Sequence, residues 1–203
     1  MNNSGWMRSL VLSLFFFQPL LYAQDPPMLG LKVGLNFSKF NDDKAQSLAG
    51  FAGGGFLTYS LNDWLALQPE VIFTMKGGKL VEQATGYLPV EFDIRLNYVE
   101  IPVLAKVQFF SGGLFRPHLF AGPFVSYLTE NIRQVDYGIA FGTGFHLNFE
   151  SSALIFDLRY SLGMRDVVNL NTMLVDSTGA VIYQNQRLAK TGVFSVTIGL
   201  AFP

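Results

Sequence analysis

Between Tyr98 and Phe109 the chain alternates with a period of two. Val99, Ile101, Val103, Ala105, Val107 and Phe109 fall on one face, and Tyr98, Glu100, Pro102, Leu104, Lys106 and Gln108 on the other. Successive side chains of a β-strand point to opposite faces, so the stretch predicts a strand with one apolar and one polar side. At about 3.3 Å per residue it is long enough to cross a bilayer at a tilt.

Seven other segments repeat the pattern, over residues 29–38, 50–61, 64–76, 118–129, 136–149, 154–163 and 194–202. In the first, Leu29, Leu31, Val33, Leu35 and Phe37 oppose Gly30, Lys32, Gly34, Asn36 and Ser38. The parity of 118–129 is ambiguous, because Phe120 and Phe124 share a face with His118 and Ser126. Leu119, Ala121, Val125 and Tyr127, with no polar residue among them, are assigned outward. Asn62-Asp63 predicts a tight turn, residues 77–91 a loop and 164–190 a long connection. Long connections after strands one, three and seven alternate with short ones after two, four and six. That alternation belongs to an up-and-down barrel with long outer loops, short periplasmic turns and both ends in the periplasm.

The polar face is also the small one, rich in Gly, Ser, Thr and Ala, while the apolar face carries most of the Phe, Leu, Ile and Val. An eight-stranded barrel is only wide enough for side chains to fill, so the small set belongs inside and the apolar set outside. This is the reverse of a soluble lipocalin-like barrel. The predicted fold is therefore all-β, an eight-stranded antiparallel up-and-down transmembrane β-barrel over residues 24–203. Composition agrees: 50% of residues are hydrophobic and only 14% charged, against about 25% charged in ordinary soluble domains.

Residues 1–23 read as a signal peptide, with Arg8, an apolar run from Leu10 to Leu21 too short to span, and Leu21-Tyr22-Ala23 before Gln24. A net charge of −1 gives no footprint for nucleic acid. The absence of cysteine excludes disulfides, thiolate metal sites and a lipoprotein anchor.

Gly30 to Ser38, Leu67-Gln68-Pro69-Glu70 ending in Lys76-Gly77, Tyr98-Val99-Glu100-Ile101-Pro102 with Lys106, and Asp157 to Gly163 occur in this order along the chain. In these segments it resembles the PorT-like family of outer-membrane β-barrels. The resemblance implies an eight-stranded barrel often labelled porin-like. It also implies kinship with a protein that serves secretion and assembly of exported proteins, and it supplies no catalytic residues.

The charges on the inward parity are Lys32, Glu70, Glu100, Lys106, Asp157 and Arg159, with Lys76 and Asp136 nearer the outer rim. Counting from the turns brings Glu70 and Glu100 together at mid-height, with Lys32 and Arg159 to neutralise them. Buried charges persist when paired, so these six are expected to form an ion-pair network that fills the lumen. The alternative is a conduction path lined by the same groups. Enzymes of this architecture need an acid or nucleophile with a base near the outer leaflet, whereas His118 and His146 both fall on the periplasmic side. No catalytic, cofactor or metal site is expected. The glycines at 138, 142 and 144 lie on a strand rather than before a helix, which argues against a phosphate loop. Asn41-Asp42-Asp43 reads as a solvated loop. Trp64 at the inner end, with Tyr127, Tyr137 and Tyr160 toward the outer ends, suits the interfacial aromatic girdles, and Tyr98, on the inward parity, suits a lumen cap. The expected function is binding, assembly, secretion or a structural role through the loops, and the alternative is a small porin-like channel. The expected partners are outer-membrane lipid and other envelope or secretion proteins.

Overall fold

Antiparallel pairing of the alternating segments closes a barrel. The computed structural model describes residues 26–40, 45–82, 90–110, 113–129, 135–165, 168–175 and 181–203. The expected signal peptide, residues 1–23, and the Asn41-Asp42-Asp43 loop lie outside the described residues. The strands are β1 (Met28–Phe40), β2 (Ala45–Gln46), β3 (Leu48–Ser60), β4 (Leu65–Glu82), β5 (Val90–Gln108), β6 (Phe115–Leu128), β7 (Val135–Asn148), β8 (Ala153–Gly163), β9 (Val168–Val175), β10 (Val181–Ala189) and β11 (Thr191–Phe202).

Eight of these make the wall, in the order β4, β3, β1, β11, β8, β7, β6, β5, and β5 pairs back onto β4. The first and last strands close the cylinder, from Leu29 beside Phe202 to Phe40 beside Thr191. Following the registers once round from Gly30 passes Phe56, Glu70, Pro102, Phe124, Gly138, Gly163 and Thr191. The path returns to β1 at Phe40, ten residues from its start, so the shear number is 10. Eight strands with a stagger of this order tilt by about 35–45° and leave an interior that side chains fill.

Exposure separates the faces. Leu31 is 70% exposed and Lys32, its neighbour, 3%. Leu29 to Phe37 on β1, Phe194 to Leu200 on β11, and Tyr137, Ile139 and Phe141 on β7 continue the outward apolar band. A Lys or Arg at the middle of such a band costs roughly 2–4 kcal/mol in a bilayer. Leu119, Ala121 and Tyr127 face outward and Phe120 and Phe124 face in, which resolves the ambiguous strand. The two inward rings fit because each lies opposite a glycine, Phe124 beside Gly138 and Phe120 beside Gly142. A Cβ at Gly142 would lie 2.6 Å from the Phe120 ring, and one at Gly138 2.7 Å from Phe124. Close approach, rather than a phosphate, explains these two glycines.

Two expected loops are largely strand. β4 runs through Gly77 and Gly78, which pair with Arg95 and Ile94 of β5, so the two strands continue beyond β3 and β6, and β2 pairs with β4 there at Lys79 and Leu80. Glycine weakens a strand without preventing one, and here β5 supplies the ladder. Similarly, β9 and β10 pair within the expected connection 164–190, where Val168, Leu170, Thr172 and Leu174 alternate with polar residues or Met. At the opposite end the connections are short. Asn62 Oδ1 accepts hydrogen bonds from the backbone of Trp64 (3.1 Å) and Leu65 (2.7 Å), which fixes the β3–β4 turn.

Candidate functional site

The period-two alternation that turns Leu and Val outward brings the charged residues together inside. Toward the turn end, Glu70 is the hub: its Oε1 accepts from Lys32 Nζ (2.7 Å) and Gln68 Nε2 (2.6 Å), and its Oε2 from Arg159 (2.7 Å). Lys32 also donates to Asp157 Oδ2 at 3.0 Å, and Asp157 Oδ1 lies 2.8 Å from His118 Nε2. Below them Lys106 donates to Gln68 Oε1 at 2.9 Å and reaches His146 Nε2 at 3.4 Å. Thr58 donates to the same Gln68 oxygen at 3.0 Å. All these side chains are buried, so each ion pair replaces solvation that the lumen cannot supply.

Nearer the loop end lies a second cluster. Lys76 donates to Glu100 Oε2 and, at 3.1 Å, to Ser126 Oγ, which donates to the same carboxylate oxygen at 3.0 Å. The ammonium sits 4.9 Å from the Phe124 ring centre and 5.2 Å from that of Tyr98, within the range of a cation–π attraction. Asp136 is buried at the same end and accepts from the Arg165 backbone at 3.3 Å. A void of about 20 Å³ separates the clusters, bounded by Lys32, Asn36, Lys76, Glu100 and Arg159 among others. That is room for about one water molecule.

The structure brings Lys32, Glu70, Asp157 and Arg159 into direct contact and joins Lys106 to them through Gln68. It does not bring Glu100 to Lys32 or Arg159. Its partner is Lys76, whose long side chain turns down from the rim into the lumen. Sequence reasoning missed Gln68, Lys76 and Ser126 as members of the network. Gln68 and Lys76 share the inward parity of Glu70, and that was the signal available for them. His118 and His146 lie inside at the turn end with ring centres 4.6 Å apart.

Trp64, Tyr127, Tyr137 and Tyr160 are exposed on the outer wall, while Tyr98 is buried in the lumen. Trp64 is exposed at the turn end, as are the rings of Phe109, Phe110, Phe115 and Phe149.

The family described as outer membrane protein beta-barrel domain matches residues 22–169. No curated protein matches the chain. Among solved structures, the outer membrane protein OprG from Pseudomonas aeruginosa superposes with a TM-score of 0.51 at 13% identity, over 85% of this chain and 94% of that one. Neisserial surface protein A superposes with a TM-score of 0.47 at 16% identity, over 88% of this chain and all of its own. At these identities the likeness to OprG speaks for the fold alone.

Proposed function

Since the chain belongs to the outer membrane protein beta-barrel domain family, we propose that it is a closed barrel of the Gram-negative outer membrane, exported by a cleaved signal peptide. In this reading it acts at its two ends, as a binding, assembly or secretion-associated component, and neither conducts nor catalyses. The observation that carries the reading is the plug. Lys32, Glu70, Asp157 and Arg159 fasten β1, β4 and β8 to one another across the lumen, and the void above them admits a single water. A hydrated ion would have to part buried pairs, which costs several kcal/mol per stripped charge. The resemblance to PorT-like barrels supports the secretion and assembly side of the proposal.

Single-channel recording tests it, on the folded protein inserted in a planar bilayer beside a Glu100→Gln variant. A silent bilayer with demonstrated insertion is the expected result for both. Steady, salt-dependent steps that change with the substitution would overturn the closed-barrel reading in favour of a small porin-like channel.

A further inference from the structure

Beneath the plug the barrel opens at the turn end into a vestibule of about 230 Å³. Six of its lining side chains carry hydrogen-bond donors: Thr58, Ser60, Gln108, Arg116, His146 and Asn148. Among the described residues the rest of the lining is Pro26, Met28 and Pro203, so no described lining side chain is acidic. Arg116 and His146 face each other across β6 and β7, and Asn148 follows two positions along the same strand face.

Thr58 is committed to Gln68, but the donors beside it are not used up. Arg116 Nε and Asn148 Nδ2 are both buried without a hydrogen-bond partner. Arg116 also makes no ion pair among the described residues. His146 Nε2 receives Lys106, which leaves the hydrogen of a neutral ring on Nδ1. Lys106 adds a buried positive charge at the floor, and the carboxylates of the plug above it, Glu70 and Asp157, are committed to Lys32, Arg159 and His118. Buried donors without acceptors are costly, and an electropositive, partly enclosed cleft strengthens the attraction of whatever acceptor enters.

We propose that the turn-end vestibule is a binding site for an oxyanion, a carboxylate or phosphate group carried by a small solute or a chain end. Arg116 is its anchor, because a guanidinium presents a planar fork that matches either group bidentately. Asn148 and His146 supply further donors. The site lies below the plug and would be reached from the periplasm, so it stands whether or not the lumen conducts.

The two histidines of the chain make the test direct. His146 lines the vestibule and His118 sits deeper, so the imidazole region of a proton spectrum contains one reporter inside the site and one behind it. The protein is folded in nonionic detergent and titrated with sodium acetate or sodium phosphate at constant ionic strength. A saturable shift of one imidazole is expected, with half-saturation weakened about tenfold or more in Arg116→Gln and severalfold in Asn148→Ala. Arg95→Gln, at the loop end of β5, should leave it unchanged. The anion that saturates at the lower concentration identifies the preferred group. A linear, unsaturable drift overturns the proposal, as does an Arg116→Gln titration that coincides with that of Arg95→Gln. Should Arg116→Gln not fold, an Asn148→Ala titration indistinguishable from that of the unaltered protein overturns it equally.

Discussion

Replacing Glu70 by glutamine should be far more damaging than the same change at Glu100, for a reason visible in single oxygen atoms. Both oxygens of Glu70 are engaged, Oε1 by Lys32 and Gln68 and Oε2 by Arg159. However a glutamine is turned at this position, its NH₂ meets a donor. In one orientation Lys32 is left with Asp157 alone; in the other Arg159, whose Nε is already unpaired, has no other hydrogen-bond acceptor among the described residues. Breaking a buried ion pair from one side costs about 3–5 kcal/mol. At Glu100 the two hydrogen bonds converge on Oε2 alone. The amide oxygen of glutamine can take that place, and Lys76 keeps Ser126 and the faces of Phe124 and Tyr98. A loss of about 1–3 kcal/mol follows there. Equilibrium urea unfolding from lipid vesicles measures both, followed by the fluorescence of Trp64 at the rim. The gap of about 2 kcal/mol corresponds to a factor of roughly 30 in the folded-to-unfolded ratio. A Glu100→Gln variant as unstable as Glu70→Gln would refute the assignment of Glu70 as the hub.

Three further outcomes are expected. Val33→Arg, in the middle of the outward band of β1, should cost about 2–4 kcal/mol in vesicles, and Lys39→Arg, exposed at the loop end, close to nothing; equal effects would contradict the placement of the band. Gly142→Ala should lower folding yield, overpacking costing about 1–3 kcal/mol, and Phe120→Ala should not rescue it, because the added Cβ also meets the Leu158 carbonyl. Lys76→Met combined with Glu100→Leu should unfold within about 1 kcal/mol of the unaltered protein or above it, with each single change worse, as read by the same urea assay.

The barrel was legible because its chemistry repeats every second residue. Leu29 to Ser38 reads as a strand with its faces assigned, and β1 carries them as written. What stayed hidden depends on geometry between strands. Nothing in the order of residues reveals that Phe120 stands opposite Gly142, so the parity of β6 looked mixed until the register supplied the space for the ring. Glu100 was placed with Glu70 by height alone, whereas the reach and direction of the Lys76 side chain decide its partner. Gly77-Gly78 reads as a stop, since a local rule cannot see that β5 continues alongside. Arg116 was invisible as a binding group because its significance lies in what is missing around it, and unmet donors leave no pattern in a sequence.

A lumen packed with charge is a poor source of stability, since well-packed apolar residues could fill the same space at equal or lower free energy. Its value is clearer when the strands are slipped rather than unfolded. Lys32 pairs with Gly199 across the β1–β11 seam, and a shift of one residue would send Lys32 into lipid and Leu31 into the lumen, inverting the face of the whole strand. On β4 the same slip would expel Gln68, Glu70 and Lys76 together. With roughly 2–4 kcal/mol lost for each Lys or Arg at mid-membrane, one wrong register on either strand forfeits a sizeable share of the stability of a small domain. An apolar interior would carry no such penalty, because both faces of every strand would then suit lipid. The buried charges thus have a use in making closure unique that does not depend on traffic through the lumen. The polar groups that this account leaves over are those the barrel does not pair, and Arg116 and Asn148 at the turn-end mouth are among them.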